Sequence, residues 1–162
     1  DDDLRGVLQK RGSRLEPLAD LHGFFVRANQ VCQGHRATLW GVYPAANAFY
    51  MAHQTRVGLA FCIGQMHGYV NRPDEVLGCD CKEDYERSLL RFERDGRVVR
   101  YEWICADSPP RSGVGGLQDG QRDAKNARAV QRLCERWPEW VREAPPRSDG
   151  YREVKLTPPR GG

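Results

Sequence analysis

Lysine and long apolar runs are what this chain has least of. Four of its 25 basic residues are Lys and 21 are Arg, so its positive charge sits on planar guanidinium groups suited to carboxylate and phosphate pairing. No stretch approaches the roughly 18 to 20 consecutive apolar residues of a membrane-spanning helix, and no internal repeat or low-complexity domain is present. The start carries neither Met nor the charged, apolar, small-residue succession of a signal peptide. A processed start, with any signal already removed, is therefore the expectation. Against these absences, 40% hydrophobic and 29% charged residues make a composition too apolar for wholesale disorder. A chain of 162 residues suits a single domain that buries roughly 70% of its unfolded surface.

Six cysteines (Cys32, Cys62, Cys79, Cys81, Cys105, Cys134) are scattered through the sequence. An even number in a short chain points to an oxidising compartment and three disulfides. A bridge between Cys79 and Cys81 would strain disulfide geometry, so each is expected to reach a different partner. Every such link would add about 2–4 kcal/mol. The Leu8-Gln9-Lys10-Arg11 stretch has a dibasic pair at Lys10 and Arg11 that resembles a Kex2-type processing site, which needs an extended, exposed peptide.

Residues 1–20 show no core face and read as a tail, with a propeptide remnant to Arg11; residues 21–157 read as one disulfide-stapled domain and 158–162 as a flexible end. Residues 21–30, with Phe24, Phe25 and Val26, predict a buried strand, and 36–43 a second. A short helix is predicted over 45–54 after Pro44, then a strand over 57–63 and a bridged loop over 65–82. Asp95-Gly96, between two alternating stretches, predicts a type I′ hairpin. Residues 107–121 read as a connection. Helical spacing of Ala127, Val130, Cys134 and Trp137 predicts a helix over 124–136, ended by Pro138, and a last strand covers 151–156. The fold expected is α+β, predominantly antiparallel β as a sheet, sandwich or barrel, with a C-terminal helix. Trp137 and Trp140 are expected to pack rather than to recognise a partner.

Several chemistries compete. His53, Cys62, His67, Cys79 and Cys81 supply zinc-ligand types, without a Cys-x2-Cys knuckle. Cys32 and His35 supply a thiol and an imidazole able to activate it. His22, His35, His53 and His67 with Glu83 and Glu86 supply the acid, base and cation parts of a ribonuclease. Phe25-Val26-Arg27-Ala28 resembles the aromatic-x-Arg strand of ADP-ribosyltransferase toxins, which implies Arg27 on a dinucleotide; the Ser-Thr-Ser and Glu-x-Glu motifs of that family are missing. Arg87, Arg91, Arg94, Arg97 and Arg100 invite a nucleic-acid reading, but Glu83, Glu86, Glu93 and Glu102 lie among them, and such mixing marks a self-compensating face.

The processed start, the Leu-x-Lys-Arg stretch and the six cysteines together resemble small secreted fungal effectors, in particular the necrotrophic effector toxins of plant pathogens. The resemblance implies an extracellular protein that acts by binding a host protein, and carries over no functional residue; separately, no cofactor and no metal are expected. Binding is expected at the tip formed by Arg94, Asp95, Gly96 and Arg97, with the loop from Gly68 to Lys82 as a second surface.

Overall fold

A computed structural model describes residues 4–108, 122–145 and 150–157. Of the connection expected over 107–121, residues 109–121 lie outside the described residues, as does the tail at 158–162. The chain is α+β, but the described residues form three helices and a mixed sheet.

Residues 6–17, expected as tail, form a hairpin: β1 (Gly6–Arg11) and β2 (Arg14–Pro17) pair antiparallel, with Gly12 at φ 58° between them. Val7 packs on the core, and β1 also pairs with β6 (Val98–Asp107). Interleaved Lys, Arg and Gln hide this strand in the sequence, because a strand at a sheet margin needs only part of one face buried.

Residues 21–30 are helical rather than extended. α1 (Leu21–Gly34) is capped by Asp20, whose carboxylate accepts the Gly23 N–H at 2.7 Å. Phe24, Ala28 and Cys32 recur every fourth residue and are buried, whereas Phe25 and Val26 are 38% and 43% exposed. The apolar triplet suggested a strand, yet one member of it enters the core.

β3 (Leu39–Tyr43) forms as expected and runs parallel to β6. Residues 45–54, expected as helix, are turns and irregular chain, and β4 (Thr55–Gly58) covers only the start of the strand expected over 57–63. β5 (His67–Tyr69) pairs antiparallel with β3. The main sheet is ordered β2-β1-β6-β3-β5, with β4 beside β6.

The hairpin expected around Asp95-Gly96 does not form. Its first arm belongs to α2 (Glu83–Asp95), and Gly96, at φ 70°, ends that helix by donating its N–H to the Phe92 carbonyl at 2.8 Å. A glycine with positive φ serves a helix C-terminus as well as a turn, and the fully buried Leu89 with Phe92 one turn on shows which period prevails. α3 (Arg122–Arg136) matches its expectation. β7 (Val141–Ala144), unforeseen, pairs with β8 (Glu153–Leu156), the expected last strand.

The helices cover opposite faces of the sheet. α1 lies on Trp40, Val42, Val99 and Tyr101, while α2, α3 and the β7–β8 pair enclose Leu39, Leu89, Val98, Leu133 and Val154. Among the described residues no helix is long and apolar enough to cross a membrane.

All six cysteines are free, so the expected staples are absent. Cys32, Cys62, Cys81 and Cys105 are buried and behave as small core side chains. Burial pushes the Cys62 and Cys79 thiols up to about 12, and those of Cys32 and Cys105 to about 11.

Candidate functional site

α2 runs antiparallel to β3. Its last residue, Asp95, accepts a hydrogen bond from Thr38 Oγ1, just before β3 begins. Its first turn meets Gly64, which lies beyond the end of β3 because His67 pairs with Gly41. Glu83 and Asp84 thus stand at the carboxyl edge of the parallel β3–β6 pair, the edge at which open α/β sheets bind ligands.

Asp84 is held from both oxygens. Oδ2 accepts the Gly64 N–H at 3.2 Å and Oδ1 the Tyr85 N–H at 2.9 Å. Ser88 fixes the turn beneath it, donating to the Asp84 carbonyl at 2.7 Å and accepting the buried Cys62 N–H at 2.9 Å. Burial and, next, the neighbouring Glu83 carboxylate raise the Asp84 pKa, outweighing these hydrogen bonds and the charge of Lys82. A carboxyl so placed holds its proton nearer neutrality than an exposed one. The residue leading into the helix, Lys82, has a left-handed φ of 60°, a conformation that costs a non-glycine residue energy. Lys82 is buried, its Nζ 3.1 Å from Glu153 Oε2 and 4.7 Å from the centroid of the Tyr151 ring.

The chemistries suggested by the sequence are sorted by this arrangement. His67 comes near Glu83, but both ring nitrogens are occupied: Nδ1 lies 3.2 Å from the Ile63 carbonyl, and Nε2 receives Arg87 Nη1 at 3.3 Å. Burial and then Arg87 lower its pKa, and the two contacts fix the ring in place. His22 and His35 are exposed at opposite ends of α1 and His53 in the loop before β4, and Glu86 turns inward to accept the Gly78 and Cys79 N–H groups at 2.7 and 2.8 Å. The ribonuclease parts are therefore not assembled. Nor is the zinc set: among the described residues no three His, Cys, Asp or Glu side chains stand together as metal ligands. Cys32 is buried, and its Sγ donates to the Ala37 carbonyl at 3.3 Å. Arg27 lies on α1, paired with Asp20 at 3.4 Å, not on the strand the toxin resemblance requires.

The expected contact tip is dispersed as well. Asp95 is tied to Arg72 at 2.8 Å and to Thr38, Arg94 pairs with Asp74 at 2.9 Å, and Gly96 terminates the helix. Arg97 remains exposed. Most of the arginine series is compensated internally, with Arg91 2.5 Å from Glu75 and Arg100 2.8 Å from Glu102. Lys10 sits in β1 and donates to the Ala48 and Met51 carbonyls, each at 2.6 Å, which braces the loop after β3. That loop presents Phe49 and Tyr50, 84% and 66% exposed, with ring centroids 5.0 Å apart in an edge-to-face pair. Arg11 continues the same strand, 3.5 Å from Glu16. Trp137 is buried in the core and Trp140 packs edge-on to Phe92.

Fold and site together define an α+β protein with helices on both faces of a mixed sheet and a half-buried, backbone-held carboxyl at the sheet's carboxyl edge. Comparison with family models, with curated proteins and with solved structures finds no match to this chain.

The sequence reading missed Asp84. The available signal was Lys82-Glu83-Asp84-Tyr85 opening an apolar stretch of helical period, since acidic residues favour first turns; assigning residues 89–94 to a hairpin arm concealed it.

Proposed function

We propose that this domain is an enzyme in which Asp84 acts as general acid–base at the carboxyl edge of the sheet. It takes a proton from a substrate hydroxyl or from water while that oxygen attacks, and returns it to the leaving group. Glu83 keeps the Asp84 proton affinity high, and the Gly64 N–H orients the carboxyl. The observation carrying this reading is a half-buried carboxyl with raised pKa, each oxygen held by a backbone N–H, on the first turn of a helix at the carboxyl edge of the parallel strand pair. Such perturbed groups concentrate at catalytic sites. Titration of the Asp carboxyl carbons by 13C NMR should place Asp84 above the other aspartates, and Asp84→Asn should abolish hydrolytic or transfer turnover while leaving the fold intact. An Asp84 that titrates with the exposed aspartates would overturn the assignment.

Phe49 and Tyr50 favour a second reading, which continues the expected binding role: contact with a partner protein without turnover. Exposed aromatic pairs on a braced loop suit interface anchors. Export and host binding have lost the crosslinks from which they were inferred, and the contact reading rests on these two rings alone. Joint replacement of Phe49 and Tyr50 by Ala should remove partner capture; capture at wild-type level would dismiss it.

A further inference from the structure

Beside the first turn of α2, and including neither Asp84 nor His67, a cleft of about 260 Å³ opens between β4, α2 and β8. Phe61 and Tyr85 stack at 3.9 Å with 13° between their planes and form one wall. Arg56, Arg100 and Lys155 also line it. Arg56 Nε lies 2.9 Å from Glu102 Oε1, and Arg100 Nη2 lies 2.8 Å from the same oxygen, so two guanidinium groups share one carboxylate that is itself buried. Among the described residues one positive charge is left uncompensated there, and Lys155, without an ion pair among them, adds another.

Arg100 is immobilised: besides Glu102 it donates to the Phe61 carbonyl at 3.1 Å, and its guanidinium stands 5.6 Å from the centroid of the Tyr43 ring. Arg56 turns Nε to Glu102, no hydrogen bond from its Nη groups is found among the described residues, and its side chain is 45% exposed. Leu59, Val154 and Leu156 complete an apolar floor. Excess cationic charge with exposed guanidinium donors selects an anionic group, while aromatic and aliphatic walls select a flat apolar body. The volume accommodates one ring with its charged substituent and falls short of the usual range for drug-sized ligands.

We propose that this cleft binds a small organic anion composed of a planar ring bearing a phosphate or carboxylate, with Arg56 and Lys155 on the anion and the Phe61–Tyr85 wall against the ring. Both anionic groups meet the same donors, so the test separates them. It does not depend on the acid–base reading, because equilibrium binding requires no turnover.

The 15N-labelled chain is titrated with phenyl phosphate, benzoate, inorganic phosphate and neutral benzyl alcohol, following amide shifts at residues 56–61, 85 and 154–156. Phenyl phosphate or benzoate should shift these amides, at least tenfold more tightly than inorganic phosphate or benzyl alcohol; whichever ring-bearing anion binds more tightly identifies the group. Arg56→Gln and Lys155→Gln should each weaken binding at least threefold, and added salt should weaken it further. Asp84→Asn should leave it unchanged, so loss of catalysis and loss of this site remain separable. Both cleft substitutions fall on exposed side chains, and amide spectra without ligand check the fold. No shift with either ring-bearing anion, inorganic phosphate binding as tightly as phenyl phosphate, or wild-type affinity in both variants would overturn the proposal.

Discussion

The two faces of the sheet are built by different means. On the α1 face the contacts are apolar and aromatic: Phe24 meets Trp40 and Tyr101 edge-on at 5.7 and 5.1 Å, and the polar ends are served locally, with Trp40 Nε1 donating to Asn29 at 2.8 Å. The α2 face encloses charge. Glu86 is fully buried, Arg91 and Glu102 nearly so, and each has partners. Buried apolar surface stabilises without regard to direction, whereas buried charge costs unless paired and fixes geometry when it is. The face that tolerates charge also holds Asp84 and the cationic cleft. A site of this kind needs a neighbourhood that aims polar groups, and on the aromatic face the Trp40 and Tyr101 polar ends are spent on α1.

Truncation on the apolar face should do the most damage. Phe24→Ala should destabilise by about 3–5 kcal/mol in urea unfolding, since large-to-small changes leave a cavity as well as losing transfer energy. Leu133→Ala, its counterpart under α3, should cost about 2–5 kcal/mol. If the two faces differ as described, the aromatic side should show the larger loss, and an inverted order would contradict that.

Glu86→Ala tests the charged face. It strips the Gly78 and Cys79 N–H groups of their acceptor, at about 1–3 kcal/mol for each donor left unpaired. A cost below about 0.5 kcal/mol, the scale of an ordinary surface change, would show that water or the chain replaces the carboxylate.

Lys10→Met should cost about 1 kcal/mol, the usual net worth of an intramolecular hydrogen bond, and should raise hydrogen exchange at residues 48–51 specifically. Uniform exchange across the hairpin would deny Lys10 its bracing role.

Asp84→Asn carries a pH signature. Its folded-state pKa is raised, so its contribution to stability is complete below the ordinary carboxylate pKa and is lost as pH rises through the folded value. The Asn variant should therefore unfold at a higher temperature than the parent at pH 7, and the gap should close below pH 4. A gap independent of pH would mean the carboxyl is not titrating there.

The smallest structural effect belongs to the thiols. Alkylation of the unreduced, denatured chain should modify all six cysteines, and the buried ones should react slowly in the native state at neutral pH, where high thiol pKa values leave little thiolate. Fewer than six modified in denaturant would restore a crosslink.

Legibility in the sequence followed the strength of local signals. β3, α3 and β8 were readable because their apolar periods are undisturbed and their ends are marked, as Pro138 marks the end of α3. α1 was misread because Phe25 and Val26 add exposed apolar residues beside the buried Phe24, which imitates a strand core. α2 was misread because Asp-Gly fits two backbone uses and the choice between them rests on what the preceding residues pack against. The hairpin of β1 and β2 left no apolar signature, since most of its hold comes from the β6 backbone.

The sequence by itself determined the α+β class, the C-terminal helix and the missing membrane-spanning helix, because these follow from composition and from short-range period. Only the tertiary structure decided that the cysteines are packed thiols, that Lys10 braces a distant loop, and that Asp84 is held against Gly64. Each of these depends on which segments meet across the sheet: burial and pairing belong to contacts between residues far apart in the chain, and residue type and spacing carry no record of them.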